Sequence, residues 1–196
     1  MKIRREQLEG MEAAMRQRLK RDLASYLASV VPHRVAAADE ARFQQQLDTA
    51  FDRVELYAFE EVAPIKHCHW YLFEFGLESG TTPRTRWVAE VLEELEATDE
   101  ERLENLDSGL LDAMWSEPGV YLGLFEADLK QVRGPGKRPA GRTLWPQEAD
   151  FRHVASCLEE LVPLLQRFEK TKEAELSAQL KCREQIADVL KRWRKL

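Results

Sequence analysis

The residues best suited to metal or nucleophilic chemistry lie in one short run, Lys66-His67-Cys68-His69-Trp70. Two imidazoles and a thiol are common zinc ligands. The surrounding pattern predicts a helix, however, and residues two positions apart on a helix point about 200° apart around its axis. His67 and His69 therefore cannot bind one ion together, and we expect all three side chains to pack in a core or an interface.

Other chemical signals are weaker. His153 and Cys157 are four residues apart and share a helix face, but no third ligand lies nearby, so we interpret them as a helix flank. The sequence lacks the phosphate-binding, dinucleotide-binding, serine-hydrolase and H-E-x-x-H zinc motifs. No carboxylate stands in an apolar setting of the kind that raises a pKa. We predict no catalytic residue, no metal site and no cofactor.

Composition narrows the class of protein. The chain has 196 residues, of which 44% are hydrophobic and 33% charged, a mixture that folds. A net charge of -6 argues against a nucleic-acid binder. The sequence contains no apolar run of the ~20 residues that span a bilayer and no secretory signal. Cys68, Cys157 and Cys182 form no C-x-x-C pair, which indicates a reducing compartment. We predict a cytoplasmic protein that does not bind membranes.

The charges are unevenly distributed. Residues 1–21 are predominantly basic, and residues 90–107 are predominantly acidic. Each segment is interpreted either as a solvated helix face or as half of a charge match, within the chain or with a partner.

Helical periodicity begins near the N-terminus. The first helix carries one apolar stripe, formed by Leu8, Met11, Met15, Leu19, Leu23, Tyr26 and Val30. Pro32 should end it, because the residue before a proline avoids the helical region. A second helix is expected from about Asp39. Its apolar face is formed by Phe43, Leu47, Ala50, Phe51 and Val54.

Three further helices are predicted before residue 117. The third, from about Glu60 to Phe75, is apolar nearly all round and should form the centre of a bundle, and Gly76 should end it. Thr82 and Pro83 are typical of the start of a fourth helix, which carries Trp87, Val88, Val91, Leu92 and Leu95. The Thr98 to Glu101 spacing predicts a capping box at the start of a fifth. Residues 1–116 therefore read as a compact helical bundle.

Residues 117–146 lack this periodicity. The apolar run from Gly119 to Phe125 fits either a strand or a buried turn. Glycine and proline recur from residue 134 to 141, which predicts a mobile basic loop. Its basic residues are Lys130, Arg133, Lys137, Arg138 and Arg142.

Residues 147–196 predict one long, coiled-coil-like helix, bent at Pro163. Its apolar seam is formed by Phe151, Val154, Leu158, Leu161, Leu165 and Phe168. The pattern weakens at residues 171–175. A helix of this length would extend about 70 Å at 1.5 Å per residue, so it either folds back on itself or pairs with another surface.

The seam is the candidate partner-binding surface, together with Trp145 and Trp193, which flank basic stretches. It could equally pack on the N-terminal bundle or on a second copy of the chain. The fold class predicted overall is all-α: a helical bundle with a long C-terminal helix.

Residues 2–116 resemble small helical proteins encoded beside type VI secretion spike and effector genes in Gram-negative bacteria. The resemblance rests on the opening helix from Ile3, on Pro32, on the aromatic helix ending at Gly76, and on Pro83 followed by Trp87. Thr82 and Arg86 depart from the pattern, which has aspartate and proline there. The resemblance implies an accessory of a secreted effector: a chaperone, an adaptor or an immunity protein.

Three functions follow as hypotheses. The first is a non-catalytic accessory that binds another protein, such as a secreted effector or toxin. The second is a structural coiled-coil protein that associates with itself. The third is a metal-dependent enzyme that uses the histidine–cysteine run.

Overall fold

The structure, a computed structural model, describes residues 5–59, 61–76, 86–94, 97–170 and 176–194, with the side chains of residues 5–9 and 86 left undescribed. Within these ranges the chain forms nine helices and no strand, so the predicted all-α class is confirmed. The helices are α1 (Arg5–Val30), α2 (Pro32–Ala37), α3 (Glu40–Glu55), α4 (Val62–Phe75), α5 (Arg86–Leu92), α6 (Asp99–Ser116), α7 (Pro118–Arg133), α8 (Glu148–Lys170) and α9 (Leu176–Arg194).

Local signals place the ends of the first helices. α1 ends at Val30, and Pro32 occupies the first turn of the short helix α2, where its missing N–H costs nothing. The Asp39 side chain caps α3 by accepting a hydrogen bond of 2.8 Å from the N–H of Arg42. The predicted apolar face of α3 is buried.

The end of α4 and the start of α6 also lie where the sequence predicts. α4 stops before Gly76, whose φ of +98° suits glycine. Thr98 and Glu101 form the predicted capping box at the start of α6. The Thr82–Pro83 start of the fourth helix, Leu95, Glu60 and Ile3 lie outside the described residues.

The segment predicted to be irregular contains a helix instead. α7 spans Pro118–Arg133, so neither a strand nor a buried turn forms there. Pro118 lies in its first turn, as Pro32 does in α2, and this signal was present in the sequence. Packing against α8 outweighs the low helix propensity of Gly119 and Gly123.

The C-terminal region is not one long helix. α8 and α9 pack antiparallel: Cys182 Sγ lies 3.4 Å from the carbonyl oxygen of Leu164, and Arg192 bonds to Glu160. Residues 171–175, where the seam weakens, lie outside the described residues. Pro163 lies inside α8. Folding back lets each helix cover the other's apolar face, which one extended helix would leave in water.

All three predicted segments contribute to one hydrophobic core. Trp193 of α9 is fully buried, and its ring centroid lies 5.6 Å from that of Trp70 on α4 and 5.9 Å from that of Phe125 on α7. Its indole N–H donates to the carbonyl oxygen of Val30 at 2.6 Å. The predicted boundaries at residues 117 and 147 therefore do not separate independently packed units. None of the described helices has a stretch apolar and long enough to cross a bilayer.

Candidate functional site

The apolar seam of α8 lies inside the protein. Its six residues are each at most 7% exposed: Phe151, Val154, Leu158, Leu161, Leu165 and Phe168. The seam packs on α7, α9 and α1, so the prediction that it is a partner-binding surface is wrong for the folded chain. Of the alternatives that the sequence left open, the structure selects packing within the chain.

The two tryptophans proposed as anchors are also engaged internally. Trp193 is part of the core and offers no surface to a partner. Trp145 is half-buried, and the guanidinium carbon of Arg142 lies 5.1 Å from its ring centroid.

The five basic residues do not form one mobile loop. Lys130 and Arg133 belong to the last turn of α7, and Arg133 bonds to Glu159 on α8 at 2.7 Å. Arg142 is only 7% exposed and donates to the carbonyl oxygens of Val35, Ala38 and Leu144, which ties the segment to α2. Of the three basic residues between α7 and α8, Lys137 and Arg138 are exposed.

The histidine–cysteine run is helical, and its members have separate surroundings. His67 Nε2 lies 3.1 Å from Asp107 Oδ1, whereas His69 Nδ1 lies 2.7 Å from the carbonyl oxygen of Ile65. Cys68 is fully buried, and burial raises the pKa of its thiol to about 12. His153 and Cys157 lie 3.8 Å apart, and burial raises the pKa of the Cys157 thiol to about 11. Neither thiol is activated for nucleophilic chemistry.

One buried polar cluster joins the last turn of α9 to α6. The Arg194 guanidinium bonds to both carboxylate oxygens of Asp107, at 2.8 Å for Nη2 to Oδ2. The Tyr71 hydroxyl donates to Asp107 Oδ1 at 2.9 Å. Burial alone would raise the pKa of Asp107, but bonds from His67 and Arg194 hold it well below its usual range.

A second buried polar cluster joins α2, α4 and α7 and is the candidate functional site. It consists of His33, Glu74 and Asp128, each no more than 2% exposed. His33 Nε2 lies 3.4 Å from Glu74 Oε2 and 3.6 Å from Asp128 Oδ1. One ligand atom from each residue lies within 4.8 Å of the other two, an arrangement found nowhere else in the part of the chain that the structure describes.

Arg34 borders this cluster. Its Nη2 atom lies 2.9 Å from Asp128 Oδ1 and donates to Asp128 Oδ2 at 3.0 Å and to the carbonyl oxygen of Glu74 at 3.2 Å. Arg34 also lines a cavity of about 240 Å³ with Leu72, Phe73 and Gln131. This side chain therefore contacts the cluster and also lines the cavity.

The two carboxyl groups have opposite pKa shifts. Burial, and then the neighbouring Glu74 charge, raise the pKa of Asp128 to about 8. Burial would also raise the pKa of Glu74, but the closeness of His33 and Arg34 outweighs it, so the pKa of Glu74 is lowered. Two buried carboxyl groups this close cannot both ionise without a compensating cation.

Sequence reasoning missed this site and was wrong that no carboxylate stands in an apolar setting. Glu74 lies between Phe73 and Phe75 in an otherwise apolar stretch of α4. Asp128 lies on the buried face of α7, between Phe125 and Val132. A charged residue at an otherwise apolar position was the available signal. His33, three residues after the end of α1, gave no such signal in the sequence.

Comparison with known proteins gave no match. No protein-family model matches the chain, and neither the curated proteins nor the solved structures contain a significant match.

Proposed function

We propose that this chain is a non-catalytic accessory that binds another protein, a secreted bacterial effector of the type VI kind, as a chaperone, an adaptor or an immunity protein. The observation that carries protein binding is the N-terminal half of α1. We call residues 10–18 the α1 arm; all of them are exposed.

The α1 arm presents apolar surface that the fold leaves uncovered. Met11 is 59% exposed and Met15 70%, although both belong to the stripe whose later members Leu23 and Val30 are fully buried. Burying such a side chain contributes about 1.5–3 kcal/mol. Methionine also adapts its shape to a partner, which suits a binding surface.

Contacts with α3 fix the direction of the α1 arm. Arg16 bonds to Asp52 at 2.9 Å and to Glu55 at 2.8 Å, and Lys20 bonds to Asp48 at 2.7 Å. The segment's basic charge is thus matched in part by α3 rather than by residues 90–107. Met11 and Met15 lie about 100–140° around the helix from Arg16, so they do not face α3. The partner element that fits them is an amphipathic helix lying along the arm.

The effector context rests on the resemblance of residues 2–116 to type VI accessory proteins. Three of its positions fall at structural transitions: Pro32 starts α2, Gly76 follows α4, and Trp87 lies in α5. Trp87 packs so closely on Gly109 that a Cβ atom there would lie 2.4 Å from its ring. The positions of Pro32, Gly76 and Trp87 support the helical fold that the resemblance implies. They carry no information about the partner.

The test uses the full chain and the effector encoded by a neighbouring gene. We expect a stable complex by size-exclusion chromatography, and calorimetry should give a Kd that rises at least about tenfold when Met11→Glu is combined with Met15→Glu, a loss of about 1.4 kcal/mol. Ala13→Glu with Gln17→Glu is the matched control, since it adds the same charge to the other side of the arm.

Three outcomes would contradict parts of this proposal. Equal weakening by the control variant would mean that charge, and not the methionine face, determines affinity. No complex with any neighbouring gene product would remove the effector context. Self-association in sedimentation experiments, abolished by the methionine variant alone, would replace the accessory function with a structural one.

A further inference from the structure

We propose that His33, Glu74 and Asp128 bind one divalent transition-metal ion, of the Zn²⁺ or Mn²⁺ class, which links α2, α4 and α7. This site lies apart from the α1 arm and replaces the expectation from sequence that the chain has no metal site.

The spacing of the donor atoms fits such an ion. Zinc binds imidazole nitrogen and carboxylate oxygen at about 2.0–2.2 Å, which puts two donors of a tetrahedral site about 3.3–3.6 Å apart. His33 Nε2 lies 3.4 Å from Glu74 Oε2 and 3.6 Å from Asp128 Oδ1. All three donor atoms lie within 4.8 Å of one another, and binding one ion requires the carboxyl groups to rotate towards it.

Unsatisfied polar atoms provide an independent observation. His33 Nδ1 and Nε2 and both carboxylate oxygens of Glu74 are buried without a hydrogen-bond partner. Asp128 Oδ1 is also buried, and its near contact is the ion pair with Arg34 Nη2 at 2.9 Å. Burying such atoms without a partner costs about 1–3 kcal/mol each on protein scales. Three of these atoms, one from each residue, meet at one place: His33 Nε2, Glu74 Oε2 and Asp128 Oδ1. A cation interacts with nitrogen and oxygen donors at once and would satisfy all three.

The donor set selects the class of ion. One imidazole with two carboxylates is a mixed nitrogen and oxygen site, which suits Zn²⁺ and Mn²⁺. Mg²⁺ and Ca²⁺ prefer sites made of oxygen alone, and the soft ion Cu⁺ prefers sulfur. The three thiols lie elsewhere in the fold, and none belongs to this cluster.

Arg34 plays a supporting part. Its Nη2 atom lies 2.9 Å from Asp128 Oδ1 and donates to Oδ2 at 3.0 Å, so it contacts both oxygens of this carboxylate. Oδ1 also lies 3.6 Å from His33 Nε2. A second group that orients a ligating carboxylate is usual in metal sites. The Arg34 side chain is 27% exposed and lines the 240 Å³ cavity, so the proposed site has one neighbour that reaches solvent.

The experiment uses the full chain without an affinity tag, treated with a chelator and then titrated with Zn²⁺ or Mn²⁺ in a calorimeter. We expect one ion per chain, confirmed by elemental analysis, and an increase in the midpoint of thermal unfolding. Mg²⁺ and Ca²⁺ at the same concentrations should give neither effect. Glu74→Gln and Asp128→Asn, which keep the side-chain shapes, should weaken binding at least about tenfold.

Glu160→Gln and His153→Gln are the matched controls, because both change a possible ligand outside the cluster, and they should leave the affinity unchanged. Absence of stoichiometric binding by the wild-type chain would overturn the proposal and leave the cluster as a carboxyl pair sharing one proton. Loss of binding in His153→Gln, with Glu74→Gln unaffected, would also overturn it. If the cluster variants fail to fold, the visible absorption of Co²⁺ on the wild-type chain distinguishes nitrogen and oxygen ligation from thiolate ligation.

Discussion

At the scale of single residues, the ion pair between Arg194 and Asp107 links the last turn of α9 to α6. Asp107 is 27% exposed and Arg194 9%, and the Tyr71 hydroxyl and the His67 ring complete the surroundings of the carboxylate. A pair in this setting resists screening by salt far better than a surface pair. The Arg194–Asp107 ion pair is therefore expected to stabilise the folded chain.

We predict that Asp107→Asn lowers the free energy of unfolding by about 2–3 kcal/mol at neutral pH, less than for a fully buried pair because Asp107 is partly exposed. The pKa of Asp107 is depressed in the folded state, so its contribution is complete above the unfolded pKa of about 3.9. It is lost as the pH falls further towards the folded pKa. Urea denaturation of both proteins from pH 7 to pH 3 should show the difference between them shrinking below about pH 4. A difference that does not change with pH would mean that the carboxylate charge contributes nothing.

At the scale of the element, α8 is an internal helix with a sharp division between its faces. Leu158 and Leu165 are fully buried, whereas Ser156, Glu159 and Gln166 are exposed. The a/d spacing that resembles a coiled-coil seam arises here because α8 packs between α7 and the antiparallel α9. The same periodicity is found in helices that pack inside their own chain and in helices that pack on a partner protein.

We predict that Leu158→Asp destabilises the whole chain by more than about 4 kcal/mol, because it removes core volume and buries an unpaired carboxylate. Ser156→Asp, on the exposed face of the same helix, should change the free energy of unfolding by less than about 0.5 kcal/mol. Circular dichroism during thermal unfolding measures both. A folded Leu158→Asp protein with a normal transition would mean that α8 is not part of the core.

At the scale of the whole molecule, the C-terminal hairpin and the N-terminal helices share one core. Val30 accepts a hydrogen bond from Trp193, and Tyr26 donates to the carbonyl oxygen of Arg194 at 3.4 Å. Arg142 holds the segment between α7 and α8 against the end of α2. The first and last helices thus depend on each other.

We predict that a chain ending at residue 146 shows no cooperative thermal transition, because it exposes the surfaces of α1, α4 and α7 that α8 and α9 cover. Calorimetry of the truncated chain, with the full chain as its control, measures this. Adding residues 147–196 as a separate polypeptide should restore a cooperative transition. A truncated chain that unfolds cooperatively on its own would establish residues 1–146 as an independent unit.

The sequence by itself determined where several of the helices begin or end. Pro32, Gly76, the Asp39 cap and the Thr98–Glu101 capping box act within a few residues of chain, so their effects can be read without knowing the fold. The apolar faces of α3 and α8 were predicted residue by residue for the same reason. The missed helix, α7, had the same proline signal as α2, but its glycines obscured the periodicity.

Tertiary structure alone decided what covers each apolar face. Periodicity shows that a helix has an apolar side, but it does not distinguish a neighbouring helix from a partner protein. The α8 seam and Trp193 are buried because α8 and α9 pack antiparallel on each other and on the rest of the chain. Likewise, His33, Glu74 and Asp128 are 41 and 54 residues apart in sequence and meet only where α2, α4 and α7 cross. Metal ligands that converge from three separate helices leave no spacing to recognise, since the distances that matter are set by packing.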